Sequence, residues 1–172
     1  MSNNKKLSVS QNAFYNMIGA IVFCFCQWIT SGVLVYRLSP SEISAANAGL
    51  LQLAITTTNI FFAISCYIMR TFQISDVKNE YSYGDYIGVR IVTAIIALVL
   101  CVVYVIAWRY SIKAMVCTIL YMIFKLSETF SDVLHGINQK NYRMDYICVS
   151  LCIRGISSVI VFTAAILLSS SI

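Results

Sequence analysis

Ile91–Trp108 is a run of eighteen residues without a charge, closed by Arg90 on one side and Arg109 on the other. As a helix such a run rises about 27 Å, close to the thickness of the hydrocarbon core of a bilayer. Nothing else in the chain limits its fold so strongly. Four further segments are comparably long and apolar, at about 13–36, 43–69, 114–134 and 146–168. The 172 residues are 59% hydrophobic and only 11% charged, where a soluble domain carries about 25% charged residues. One proline, seven glycines and no dyad alternation of polar and apolar residues speak against a β-barrel. The expected fold is an all-α membrane protein with five transmembrane helices in one helical membrane domain, residues 1–172.

Lysine and arginine set the orientation. With the N-terminus inside, Lys5, Lys6, Arg70, Lys78, Arg90, Lys140 and Arg143 face the cytoplasm, and Arg37, Arg109 and Lys113 face out. That bias predicts a multi-pass protein of the cell (inner or plasma) membrane with a cytoplasmic N-terminus. The first apolar segment is too long for a signal-peptide core and no small-residue cleavage site follows it. The basic residues are scattered over loop ends, so no nucleic-acid partner is expected. The seven cysteines lie inside apolar segments without metal-ligand spacing, so neither a metal nor another cofactor is expected. One histidine, no GxSxG, no HExxH and no phosphate-cradling glycine loop leave no catalytic set, and no enzyme is expected.

The polar residues inside the apolar segments carry the functional signal. Lys125, Glu128, Asp132 and His135 fall within about 80° of one another on a helix, and the opposite side is Leu, Ile, Met, Phe and Val. A charge near a bilayer centre costs roughly 3 kcal/mol on insertion scales. The stripe must therefore face protein or water. Either a structural ion network or a polar, substrate-related cavity satisfies that requirement. Arg154 stands at a similar depth on the next segment, so a pair with Glu128 or Asp132 is expected, and Lys125 is placed to pair with Glu128 one turn on. His135, near a helix end, is expected to be solvated. On the second segment Ala45, Gly49, Gln52, Thr56, Asn59 and Ala63 form one small-and-polar seam, which suits close helix packing. Gln52 and Asn59 are alternatively cavity-lining. Residues 70–89 read as the longest loop, and Ile91–Trp108, without a polar stripe, as the most lipid-exposed helix.

Several motifs recur in a familiar order: Arg37-Leu38-Ser39-Pro40 after the first span, Arg70-Thr71-Phe72-Gln73-Ile74-Ser75-Asp76 after the second, Tyr86 with Arg90, Lys125 with Glu128 and Asp132, Arg143-Met144-Asp145-Tyr146, and Arg154-Gly155. Together they resemble the N-terminal part of polysaccharide biosynthesis proteins of the flippase type, in the multidrug/oligosaccharidyl-lipid/polysaccharide exporter superfamily. The resemblance implies an incomplete N-terminal lobe of a two-lobe exporter. It implies flipping of a lipid-linked oligosaccharide, an isoprenoid pyrophosphate sugar, from the cytoplasmic to the outer leaflet. Arg154 and Lys125 would hold the anionic headgroup, and Glu128 and Asp132 would support them or couple ions. Five spans are fewer than one lobe of that family, so a truncated fragment is expected, with the remaining half of the transporter, or other copies, and membrane lipid as partners. Two other readings stand beside it: a fragment of a multidrug/cation antiporter, and a non-transporting membrane scaffold or assembly protein whose buried charges are structural.

Overall fold

The computed structural model describes residues 7–34, 41–78 and 80–169. Lys5, Lys6, Arg37, the turn at Pro40 and the terminal residues 170–172 lie outside the described residues. Among the described residues every element is helical: α1 (Val9–Trp28) leading into a π-helical stretch (Ile29–Leu34), α2 (Ser41–Cys66), α3 (Met69–Ser75), α4 (Tyr83–Ala107), α5 (Ile112–Lys140) and α6 (Met144–Ser169). Five segments are long and apolar enough to cross a membrane: Val9–Gly32, Ala48–Ser75, Tyr83–Ala107, Ile112–Lys140 and Met144–Ala165. The chain divides into two compact units, one within Met1–Ala48 and Asn138–Ile172, the other Gly49–Ile137.

In the first unit α1 packs on α6. Ser8 opens α1 with a capping box: its hydroxyl accepts from the Gln11 backbone N–H at 3.2 Å, and the Gln11 side chain accepts from the Ser8 N–H at 3.1 Å. Asn12, one turn on, is buried. It donates to the carbonyls of Leu7 and Ser8, and its Oδ1 accepts the backbone N–H of Met144 at 2.9 Å. A side chain of α1 thereby satisfies one of the unpaired N–H groups that begin α6. Contact further along depends on glycine. A Cβ on Gly19 would lie 2.8 Å from the Cys148 Cα, and one on Gly155 would lie 3.1 Å from the Cys26 Cβ. Backbones approach this closely only where one partner has no side chain.

The second unit has a different core. Phe61 of α2, Ala97 and Cys101 of α4 and Met122 of α5 form its centre, with Leu98, Tyr104 and Leu126 packed around them. The buried face of α4 is Tyr86, Arg90, Ala94, Ala97, Cys101 and Val105, one residue per turn. The expectation that this helix is the most lipid-exposed is corrected by that stripe. Its small side chains let neighbours come close although no polar pattern announces it.

Three further expectations change. Residues 70–89 are not one long loop. Met69–Ser75 is helical, and α4 starts at Tyr83, eight residues before Ile91, behind a capping box between Ser82 and Asp85. His135 is buried, because α5 continues to Lys140 and leaves it inside the helix. The small-and-polar seam on α2 turns outward: Gly49, Gln52, Thr56, Asn59 and Ala63 are exposed, while Ala54, Thr57, Thr58, Phe61 and Ser65 are buried. Thr58 tolerates the packed side because its hydroxyl bonds within the helix, to the Ala54 carbonyl at 2.7 Å, while the Thr57 hydroxyl pairs with that of Tyr110 at 3.2 Å.

Replacing Gly19 with Ala is expected to destabilise the protein by about 1–3 kcal/mol, since the new methyl meets backbone that cannot yield. Gly49, with no atom within 4 Å of a built Cβ, is the control. Gly49→Ala should be neutral or stabilising by up to about 1 kcal/mol from helix propensity. Thermal unfolding of the two purified variants compares them directly.

Candidate functional site

The second apolar segment does not run straight. α2 stops at Cys66, and Tyr67 and Ile68 take left-handed backbone angles, φ 38° and 51°, before α3 resumes at Met69. Neither is glycine, and Ile is β-branched, so each conformation costs of order 1–3 kcal/mol and persists only where surroundings enforce it. The break also strips the last carbonyls of α2 of their helical partners.

Arg90 supplies what the break removes. Its Nη1 donates to the carbonyls of Ser65 at 2.8 Å and Cys66 at 2.7 Å, and Thr93 Oγ1 donates to the Ser65 carbonyl at 3.0 Å. Its Nη2 donates to Asp132 Oδ2 of α5 at 2.9 Å. The Arg90 side chain is wholly buried, whereas Asp132 keeps 24% of its side chain exposed. Arg70, from the first turn of α3, approaches the other carboxylate oxygen at 3.5 Å. One carboxylate therefore serves two guanidinium groups, and the cluster carries formal charge +1. Arg90 lies seven residues inside α4 from Tyr83, and Asp132 eight residues before the end of α5 at Lys140. Both are about 10–12 Å from those helix ends, which puts them at matching depths.

One turn back along α5, Lys125 Nζ donates to Glu128 Oε2 at 2.9 Å, the pairing expected from their spacing. The ammonium sits 5.0 Å from the centre of the Phe62 ring and 5.9 Å from that of Tyr121. Aromatic faces attract a cation in this way and partly replace its water. Glu128 is buried, and Lys125 keeps 15% of its side chain exposed. Gln73 of α3 is fully buried against Gly136 of α5, and neither of its amide atoms has a hydrogen-bond partner. A Cβ at Gly136 would meet the Gln73 amide, which would have to shift to admit it.

The residues expected from the sequence fall in both units. Lys125, Glu128 and Asp132 belong to the second unit, with Arg70 and Arg90. Arg154 belongs to the first, where its guanidinium lies 4.3 Å over the Phe23 ring of α1. Gln52 and Asn59 are in the second unit on the exposed face of α2. In the first unit Arg143 grips Asp145 with two bonds, Nε to Oδ1 at 3.0 Å and Nη2 to Oδ2 at 2.8 Å. The Asp145 hydrogen bond holds the Arg143 guanidinium above the usual arginine range. Arg90 is the residue that sequence reasoning missed, having been placed at a helix boundary. The signal was present in Ser82 and Asp85, whose spacing marks a helix start that carries Arg90 two turns inside.

No protein-family model matches the chain, and no curated protein or solved structure matches it either.

Asp132→Asn should lower stability by about 3 kcal/mol, the lower end of the loss seen when a buried charge loses its partner, because water still reaches this carboxylate. Arg90→Met should cost more than Asp132→Asn, since it also leaves two carbonyls unpaired. Urea or thermal unfolding of both variants in the same detergent gives the ranking, and the reverse order would mean that Arg90 does not hold the break.

Proposed function

We propose that this chain is a multi-pass membrane protein with a cytoplasmic N-terminus, forming part of one lobe of an exporter that flips a lipid-linked oligosaccharide to the outer leaflet. The observation that carries the reading is an excess of positive charge within the apolar segments. In the second unit Arg70, Arg90 and Lys125 stand against Glu128 and Asp132, and Arg154 adds a further cation in the first. A network built only to hold helices together needs no surplus, because an unbalanced charge in a low-dielectric region is expensive. A pyrophosphate headgroup is an anion of the class that suits such a set of basic groups. Arginine meets phosphate with a planar fork and lysine with a point charge.

Within this reading the cations divide by access. Arg90 is sealed and committed to backbone, so it positions helices. Lys125 in the second unit and Arg154 in the first are each partly exposed, and each is a cation that a headgroup can meet, while Arg70 stands beside Asp132. Glu128 and Asp132 hold the basic groups in place. The break in the second segment fits a transporter, where irregular backbone at membrane depth is tolerated beside a cavity or against protein.

The alternative, a non-transporting scaffold, is favoured by one specific observation: the most deeply buried cation, Arg90, is tied to carbonyls and a carboxylate of its own chain.

The two readings part in a binding experiment. The purified chain in nanodiscs is titrated with a polyisoprenyl pyrophosphate and, separately, with the uncharged polyisoprenol. Selective binding of the pyrophosphate, weakened at least about tenfold by Lys125→Gln and by Arg154→Gln, is expected for the loss of one charge-assisted bond each. The melting temperature should stay within a few degrees. No preference for the pyrophosphate, or a fall in melting temperature that accounts for the lost binding, establishes the scaffold instead.

A further inference from the structure

Two hollows adjoin along α3. The first, of about 620 Å³, is walled by Tyr67, Ile68, Met69, Thr71 and Phe72 and ends at Ser75. The second, of about 350 Å³, begins at the same Phe72 and Ser75 and continues between Asp76, Val77, Lys78, Glu80 and Tyr81. The helix break makes the first of them. Left-handed Tyr67 and Ile68 stand 72% and 78% exposed. Ser75 ends both α3 and the apolar segment Ala48–Ser75. Within one turn the surface therefore passes from apolar to charged. A membrane phospholipid has the same profile, from acyl chain through ester to headgroup.

The charges in the polar hollow decide which phospholipid. Lys78 stands there with Asp76 and Glu80. The Asp76 carboxylate shapes the loop: it accepts from the backbone N–H of Glu80 at 3.0 Å and of Tyr81 at 3.5 Å, and from the Tyr86 hydroxyl at 2.8 Å. Lys78 and Glu80 are exposed. A purely anionic headgroup meets one ammonium and two carboxylates there, an unfavourable balance. A headgroup that carries both a phosphate and an ammonium matches both signs. A primary ammonium donates hydrogen bonds to a carboxylate, and a quaternary one cannot. The Tyr81 ring, 5.9 Å from the Phe72 ring, lines the same hollow, and aromatic rings attract cations.

We propose that these joined hollows bind a zwitterionic phospholipid with a primary amine, of the phosphatidylethanolamine class. Its acyl chain lies along Tyr67, Ile68 and Phe72, its phosphate meets Lys78 and its ammonium meets Glu80. The site rests on the reading that Ala48–Ser75 spans a membrane and is independent of what the protein transports. The polyisoprenyl pyrophosphate, with its two adjacent negative groups, is not its ligand.

Native mass spectrometry of the purified chain in detergent tests it, with phosphatidylethanolamine, phosphatidylcholine and phosphatidylglycerol of identical acyl chains added in turn. Phosphatidylethanolamine should be retained about tenfold better than either of the others. Glu80→Gln should abolish its advantage over phosphatidylcholine, and Lys78→Gln should weaken both zwitterionic lipids together. Both positions are exposed, so folding is unaffected, and circular dichroism verifies that. Equal retention of all three lipids, a preference for phosphatidylglycerol, or an unchanged preference in Glu80→Gln overturns the proposal. Failure of the membrane reading shows separately, as release of the chain from vesicles by alkaline carbonate.

Discussion

The guanidinium of Arg90 is the interaction on which the second unit depends. A helix that breaks inside its own apolar segment leaves carbonyls with no partner, and in an apolar setting each costs several kcal/mol. Arg90 covers the carbonyls of Ser65 and Cys66 from a neighbouring helix. That solution brings in a buried charge, which demands a carboxylate, and Asp132 answers from α5. The carboxylate then draws in Arg70 from beyond the break. A single backbone irregularity thus fixes the mutual placement of α2, α3, α4 and α5.

Each unit is stabilised internally by different physics. In the first, α1 and α6 meet through glycine, so that dispersion between closely packed backbones carries the contact. Its main polar link, Asn12 to Met144, satisfies a helix start. In the second, hydrogen bonds to charged groups supply the organisation, and a buried side chain as polar as Gln73 sits opposite a glycine without a partner for its amide. Buried polar groups of that kind fix one arrangement tightly where they are satisfied and leave energy stored where they are not.

This division separates structural cations from accessible ones. Arg90 has no exposed surface and most of its donors are occupied. Lys125, braced between Phe62, Tyr121 and Glu128, keeps one edge open, Arg70 keeps more, and Arg154 is half-buried. The lipid-shaped hollows on α3 lie on the same broken segment. The irregularity that requires Arg90 also opens the surface beside it.

The sequence by itself determined the helical class, five segments of spanning length and the Lys125–Glu128 pair. Each follows from local rules: uncharged runs of about twenty residues, and a spacing of three on a helix. The helix start at Ser82 was equally legible, as a hydroxyl three residues before a carboxylate. Tertiary structure alone decided that the polar seam of Gln52 and Asn59 faces outward, that His135 is buried, and that Arg90 and Arg70 share Asp132. Gln52 and Asn59 are polar but satisfy no buried partner, so periodicity does not say which face packs. The break at Tyr67 and Ile68 carries no glycine or proline to announce it. The carbonyls just before it are bonded by residues more than twenty positions away, and no local reading of the chain contains those contacts.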